Sequence, residues 1–199
     1  MTKRQQQAIT TKKKILRCAL DLFEEKGFDN VSMQEIAEKS QASIGAIYHY
    51  FSSKEEIAAQ SLLVLDDIYH TFFEELTGPG PYQGLSALEK LEEYFLFVQR
   101  SCSQYNNLNI LYIYNLKNPG DGTLAMSENR GLFRDYMSIL KECRAEKSIR
   151  AELSDEEIVD FLVQSSRGIL LDWLIRNKQF DFEAQLRRWW NLILSAIKS

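Results

Sequence analysis

The sequence has few of the residues that build metal sites, disulfide frameworks and membrane spans. Its 199 residues include three cysteines and two histidines, at spacings that match no metal-binding motif. An odd number of separated cysteines indicates a reducing compartment. The sequence also lacks an apolar run of membrane-spanning length, and its start has no apolar signal-peptide core. These absences predict a cytoplasmic protein with no metal, no cofactor and no membrane partner.

The common signatures of enzymes are missing as well. The sequence contains no Gly-rich phosphate loop, paired-carboxylate site or nucleophile elbow. A nucleophilic Cys102 or Cys143 would need a histidine base, and both His49 and His70 belong to the N-terminal part of the chain. We therefore expect a protein that is not an enzyme.

Charge is distributed unevenly along the chain, whose formal net charge is −4. Residues 1–54 carry nine Lys/Arg against six Asp/Glu, whereas residues 55–199 carry fifteen against twenty-two. The first twenty residues hold six basic side chains and no acid, namely Lys3, Arg4, Lys12, Lys13, Lys14 and Arg17. Charge alone fits either a polyanion-binding end or a solvated basic tail.

Apolar residues recur at helical spacing along nearly the whole chain, so we predict an all-α protein. Three Ser–Glu pairs have the spacing of a capping box and mark helix starts, at Ser32–Glu35, Ser53–Glu56 and Ser154–Glu157. Gly27 is expected to end the first helix in the left-handed conformation. Longer helices are predicted over about residues 57–76, 84–105, 107–117, 124–148, 154–177 and 181–198, although 107–117 alternates enough to pass for a strand.

Two short helices joined at residues 40–43, between a basic helix and a long one, have the pattern of a helix-turn-helix. Ser43 is expected to cap the second of them, which presents its N-terminal residues to the major groove of DNA. Ile47 and Phe51 share one face and suit the core. Gly45 costs a helix about 1 kcal/mol relative to alanine, a cost that is tolerable where the backbone must approach a surface closely.

Residues 43–55, SIGAIYHYFSSKE, together with Ala37, resemble the DNA-binding signature of the tetracycline-repressor (TetR) family. Residues 12–37 also fit that family's first two helices, so the resemblance covers about residues 10–60. It implies a DNA-binding domain over residues 1–56 and a helical domain for effector binding and dimerisation over residues 57–199. The family usually has Ala-Gly in the turn, where this sequence has Ser40 and Gln41, so backbone strain is expected at Gln41.

The resemblance implies a set of residues at the DNA: Ser32, Gln41, Ser43, Ile44, Gly45, Ala46, Tyr48, His49 and Lys54. Ser32 and Lys54 would hold phosphates at helix starts, Tyr48 and His49 would contact the backbone, and Ser43, Ile44 and Ala46 would meet base edges. The basic segment before residue 15 would add attraction that does not depend on sequence. Taken singly, Ser32 is also a plain cap, Tyr48 a core residue and Lys54 a solvated charge.

The same resemblance implies a homodimeric repressor that binds an inverted-repeat operator and is released from it by a small-molecule effector. Residues expected at the dimer interface are Gly168, Trp173, Leu174, Trp189, Trp190 and Ile193, in helices that are apolar around much of their circumference. Residues expected at the effector are Phe73, Cys102, Tyr112, Tyr136 and Gln164. The alternatives are helices that only complete the monomer's core, control by a protein partner, and a structural nucleoid-associated protein.

Overall fold

A computed structural model describes residues 2–60, 62–104 and 130–199, and over these residues the regular secondary structure is helical, as the sequence predicts. In chain order the helices are α1 (Lys3–Lys26), a 3-10 turn (Phe28–Asn30), α2 (Met33–Ser40), α3 (Ile44–Tyr50), α4 (Lys54–Gln60), α5 (Leu62–Thr77), α6 (Ala87–Gln104), α7 (Gly131–Ala145), α8 (Asp155–Ile175) and α9 (Phe182–Ile197). An isolated antiparallel bridge joins Ile149 to Lys198. The helix predicted over 107–117, with Tyr112, lies outside the described residues. None of the helices described is long and apolar enough to cross a membrane.

The helix starts follow the predicted capping boxes closely. The Ser32 hydroxyl accepts from the Glu35 N–H at 3.2 Å, and the Glu35 carboxylate accepts from the Ser32 N–H at 2.9 Å. The Ser154–Glu157 pair makes the same two bonds at the start of α8. These two capping boxes are confirmed, and they fix the first residues of α2 and α8.

The third capping box is only half formed. The Ser53 hydroxyl accepts from the Glu56 N–H at 3.2 Å, as predicted. The Glu56 carboxylate, however, accepts from the N–H and the hydroxyl of Ser52, both at 2.7 Å, and not from the N–H of Ser53. Both serines therefore hold the start of α4.

Gly27 ends α1 in a conformation that differs from the predicted one. Its φ is 79° but its ψ is 147°, so it lies outside the left-handed helical region. Positive φ with an extended ψ is essentially open to glycine alone, because a Cβ would meet its own backbone there. The chain consequently leaves α1 extended and enters the 3-10 turn.

The described residues divide into two compact units, and the division falls between Leu65 and Asp66, within α5. The boundary predicted from the sequence, between residues 56 and 57, lies inside α4 instead. In the structure α4 belongs to the first unit because it packs on α1, with Ile57, Ala58 and Ala59 buried.

Each unit has its own apolar core. In the first unit, the fully buried side chains come from all four helices and include Ile15, Leu16, Phe23, Ile36, Ile47, Phe51 and Ile57. In the second unit, α6 packs against α7, α8 and α9, and its Tyr94 and Phe95 are fully buried. The core of the first unit therefore holds α2 and α3 in a fixed arrangement on α1.

Candidate nucleic-acid interface

The connection between α2 and α3 is a tight turn built on one left-handed residue. Gln41 has φ 55° and ψ 32°, and the N–H of Ala42 returns to the carbonyl of Ala37 at 3.0 Å. The side chain of Ser43 then accepts from the N–H of Ala46 at 3.1 Å and caps α3. The backbone strain expected at Gln41 agrees with this left-handed conformation, since the turn requires positive φ where the family usually has glycine.

The two faces of α3 are very different. Ile47 and Phe51 are fully buried, as predicted, so they anchor the helix on the core. Tyr48 is 55% exposed and Ile44 is 39% exposed, so both lie outside the buried face. Ser43, Gly45 and His49 are also exposed, and Ala46 is half-buried. Tyr48 is therefore not a core tyrosine, and the first turn of α3 presents a mixed apolar and polar surface to solvent.

Gly45 has open space around it in the described part of the chain. A Cβ added at this position meets no atom of the described residues within 4 Å. Alanine would stabilise the helix by about 1 kcal/mol, so glycine is not the residue that folding favours here. What a glycine offers at this exposed position is close approach of the α3 backbone to another molecule.

Ser32 lies exposed at the start of α2, but its polar groups already have a partner. Its N–H and its hydroxyl both donate to the Glu35 carboxylate at 2.9 Å. The Lys26 ammonium, 2.7 Å from Glu35, and these two bonds from Ser32 lower the pKa of Glu35 to about 2. A phosphate held by Ser32 must therefore share this helix start with an ionised carboxylate.

Lys54 does not present its charge to solvent as the sequence predicts. Its Nζ donates to the carbonyl oxygens of Phe28 at 2.8 Å, Val31 at 3.0 Å and Asp29 at 3.3 Å. It also lies 4.5 Å from the centroid of the Phe28 ring. An ammonium has three N–H donors, and the three carbonyls occupy them. The predicted phosphate contact would therefore require the side chain, which folds back over the connection between α1 and α2, to leave these acceptors.

The basic N-terminal segment is helical and continuous with the domain, because α1 begins at Lys3. Lys14 Nζ donates to the side-chain oxygen of Gln41 at 3.2 Å, in the turn before α3. Lys12 Nζ lies 5.6 Å from the centroid of Phe51, the residue that ends α3. Basic side chains of α1 thus lie near both ends of α3, where they add positive charge.

These features define a helix-turn-helix DNA-binding protein: a short helix with an exposed first turn, fixed on a buried core and flanked by basic groups. Residues 15–60 match the family model described as bacterial regulatory proteins, tetR family. The match covers the helix-turn-helix domain, and over these residues the chain is similar to the tetR family of bacterial regulatory proteins.

Relatives resemble the chain over different lengths. The Transposon Tn10 TetC protein of Escherichia coli is 34% identical over 90 residues, so the match spans 44% of this chain and 43% of that relative, less than half of each. The HTH-type transcriptional regulator AcrR of Shigella flexneri is 24% identical over 196 residues, which cover 96% of this chain and 91% of AcrR. In fold, the chain is similar to Thermus thermophilus FadR, a TetR-family repressor, with a TM-score of 0.66, 23% identity and coverage of 92% and 93%.

The second unit brings together part of the predicted effector set. The Tyr94 ring packs edge-on against Tyr136 at 4.9 Å and against Phe73 at 6.1 Å. Cys102 Sγ lies 2.9 Å from the Tyr69 hydroxyl, and burial raises the pKa of its thiol. Gln164 is exposed on α8, so the structure does not bring it together with these buried residues.

Two buried acids in the second unit were not anticipated from the sequence. Asp66 pairs with Arg130 through bonds of 2.5 to 3.2 Å, and both side chains are buried. Asp135 accepts from the Tyr94 hydroxyl and pairs with His70 Nδ1, both at 2.9 Å. Burial raises the pKa of Asp135, and these bonds oppose the rise. In the sequence, each of these two aspartates is visible only as an acidic residue on an otherwise apolar face of its helix. Their partners are far away in the chain, so the sequence does not show that they are paired.

The predicted dimer residues fall into two groups. Trp190 and Ile193 are buried in the chain's own core and present almost no surface to a partner. Gly168 is exposed, and Trp173, Leu174 and Trp189 are half-buried. The indole of Trp173 donates to the carbonyl of Phe180 at 3.0 Å. Trp189 and Trp190 are adjacent in the sequence and therefore point about 100° apart on α9, so only one of them can face the core directly.

Exposed apolar residues of α8 and α9 were missed by the sequence reasoning. They are Phe161, Leu171 and Ile175 of α8, and Leu192 of α9, and Ile175 is 70% exposed. Within α8 they share one face with Gly168, because positions separated by three, four or seven residues line up along a helix. This spacing is readable in the sequence, but the sequence does not show which face of α8 packs on the core.

Proposed function

We propose that the protein is a homodimeric transcriptional repressor, which binds an inverted-repeat operator through α3 and leaves it when a small molecule binds in the second unit. The observation that carries this proposal is the exposed first turn of α3, with Ile44, Gly45 and Tyr48 on one surface beside the basic α1. Similarity to the tetR family over residues 15–60 supports the repressor role, and the dimer, the operator and the effector rest on the arguments below.

Binding to DNA follows from the chemistry of the exposed surface. Ile44 and Ala46 offer apolar contact to thymine methyl groups, and the Ser43 hydroxyl suits either kind of base edge. Tyr48 and His49 stand further along the same helix, where they can donate to phosphates. Lys12 and Lys14 supply charge that attracts any duplex, and binding should weaken as salt rises.

Dimerisation is supported by the exposed apolar face of α8, together with Leu192 of α9. Leu171 and Ile175 continue the row from Phe161 through Gly168, which leaves a line of apolar groups in water along one helix. A second copy of the chain is the occupant that fits best, because a two-fold interface places one α3 in each of two operator half-sites.

Effector binding in the second unit is supported by its buried polar groups. Buried ion pairs such as Asp66–Arg130 contribute little net stability, so polar groups in an apolar core often serve function. Thermus thermophilus FadR, to which the fold is similar, is described in complex with lauroyl-CoA. The helix α5 carries Leu65 of the first unit and Asp66 of the second, so one helix takes part in both. Displacement of α5 is the proposed route from effector to DNA.

The experiment starts with small molecules that raise the thermal midpoint of the protein. Each is titrated into the complex of the protein with its operator, and operator affinity is measured by fluorescence anisotropy. We expect saturating ligand to weaken operator binding, and operator to weaken ligand binding by the same factor, about 5- to 150-fold. Unchanged operator affinity for every stabilising ligand would reject effector control and leave DNA binding itself in place.

A further inference from the structure

Lys54 occupies an unusual position for a cation in a DNA-binding domain. It is the first residue of α4, yet its ammonium lies among carbonyl oxygens of residues 28, 29 and 31, more than twenty residues earlier in the chain. The ring of Phe28 lies beneath it at 4.5 Å, and that ring in turn packs on Phe23 of α1 at 5.0 Å. The side chain therefore joins the start of α4 to the end of α1.

The three carbonyls belong to the segment that directly precedes α2. The 3-10 turn Phe28–Asn30 is too short to satisfy all of its own carbonyl groups. The hydrogen bond that the Val31 N–H donates to the Phe28 carbonyl is long, at 3.3 Å. Val31 directly precedes Ser32, the N-cap of α2. The ammonium thus adds a second donor to the Phe28 carbonyl, donates to the carbonyls of Asp29 and Val31, and fixes the residue before the helix start.

We infer that Lys54 is a positioning residue for DNA binding, which straps the start of α4 to the α1–α2 connection and so holds the start of α2. The inference rests on the proposed DNA binding. α3 lies between these two points in the chain, with α2 before it and α4 after it. A fixed distance between the starts of α2 and α4 therefore brackets the helix that meets the DNA.

A direct phosphate contact by Lys54 is the competing interpretation, and it requires a different position of the side chain. To reach a phosphate, the ammonium must leave three carbonyls, two of them partly buried. A positioning role needs no contact with DNA. It requires instead three N–H bonds that radiate from a single nitrogen towards the three carbonyls. The ammonium of lysine has this geometry, and the planar guanidinium of arginine does not.

The test compares Lys54→Met, Lys54→Arg and the control Lys39→Met, which removes a cation paired with Glu25 at 2.9 Å in the same unit. Operator affinity is measured over a range of salt concentrations, at temperatures where each variant is folded. The strap predicts that Lys54→Met and Lys54→Arg each lose about tenfold or more in affinity, with the wild-type salt slope. A phosphate contact predicts that Lys54→Arg binds normally and that Lys54→Met lowers the slope by about 0.9 per half-site, and this result would overturn the strap.

A double-mutant cycle separates positioning from a general loss of stability. If Lys54 acts through the start of α2, Lys54→Met costs markedly less affinity in a Ser32→Ala background than in the wild type. The same factor in both backgrounds would show a merely structural lysine.

Hydrogen exchange tests the positioning role of Lys54 without DNA, so this test is valid even if the protein binds no operator. We expect Lys54→Met to speed amide exchange at residues 31–36 at least tenfold and to leave α9 unchanged. Unchanged exchange at residues 31–36 would overturn the inference, whereas failure of the wild type to bind any duplex would reject only the proposed function.

Discussion

At the scale of single residues, Gln41 is a position where the sequence departs from what the backbone requires. Its φ of 55° is left-handed, a region in which a side chain costs about 1–2 kcal/mol and glycine costs little. Its amide oxygen accepts from Lys14, but this bond is exposed and contributes little.

We predict that Gln41→Gly raises the free energy of unfolding by about 0.5–1 kcal/mol, after allowance for the added entropy of the unfolded chain. Chemical denaturation of the wild type and the variant measures this difference. Gln41→Ala serves as the matched control, because it removes the Lys14 bond and keeps the left-handed cost. Equal stability of the glycine and alanine variants would contradict the assignment of strain to the turn.

Positions that depend on local spacing could be predicted from the sequence, whereas contacts between distant residues could not. Tyr48 and Ile47 could be assigned to different faces of α3 because their positions follow from helical spacing within a few residues. The contacts of Lys54 could not be predicted, since its acceptors lie 23 to 26 residues earlier and are backbone groups, which have no sequence signature. Asp66 and Arg130 present the same problem over a longer separation.

At the scale of helices, the start of α2 depends on an ionised Glu35. The Lys26 ammonium and the Ser32 bonds hold the pKa of Glu35 at about 2, against an ordinary value of 4.5. Because the folded pKa is lower than the unfolded one, the stabilisation is complete above pH 4.5 and is lost as pH falls from there towards 2.

We predict that Glu35→Gln lowers the thermal midpoint of the protein at about pH 6, and that the difference from the wild type shrinks steadily between about pH 4.5 and pH 2. Thermal unfolding followed by circular dichroism at a series of pH values measures it. A difference that stays constant down to pH 3 would show that the charge of Glu35 does not stabilise α2.

At Gly45 of α3, we expect a substitution that raises stability to lower operator affinity. Alanine has room there and favours a helix, so Gly45→Ala should raise the free energy of unfolding by about 1 kcal/mol. The added methyl group stands on the face that we propose meets DNA, so operator affinity should fall by about tenfold. Denaturation and operator titration of the same preparation measure both quantities. A variant that gained stability and kept wild-type affinity would move the DNA-facing surface away from Gly45.

At the scale of the whole molecule, the exposed face of α8 sets the oligomeric state that we propose. Ile175→Glu should place an unpaired charge in the interface, which costs several kcal/mol and raises the dimer dissociation constant at least on the order of a hundredfold. Analytical ultracentrifugation at micromolar concentration should show a dimer for the wild type and a monomer for the variant. Gln179→Glu, an exposed change just beyond the end of α8, should remain dimeric. A monomeric wild type would reject the dimer.

The architecture was largely predictable from the sequence because helix starts are local signals. Ser32 with Glu35 and Ser154 with Glu157 marked the first residues of α2 and α8. The choice between core and interface was not predictable in the same way. Trp190 is buried and Ile175 is exposed, although both lie in strongly apolar helices, because burial depends on which face packs against α6 and its neighbours.

The central claim, that two copies of α3 read an operator, is tested most directly by selecting duplexes from a random pool with the wild type and with Ile44→Asn. Ile44 is exposed on the first turn of α3, and an amide there replaces apolar contact with donors and acceptors that suit adenine. We predict that the wild type selects an inverted repeat and that the variant selects a repeat changed at the same position in both half-sites. Selection of one identical sequence by both proteins, or of no sequence by the wild type, would contradict the claim.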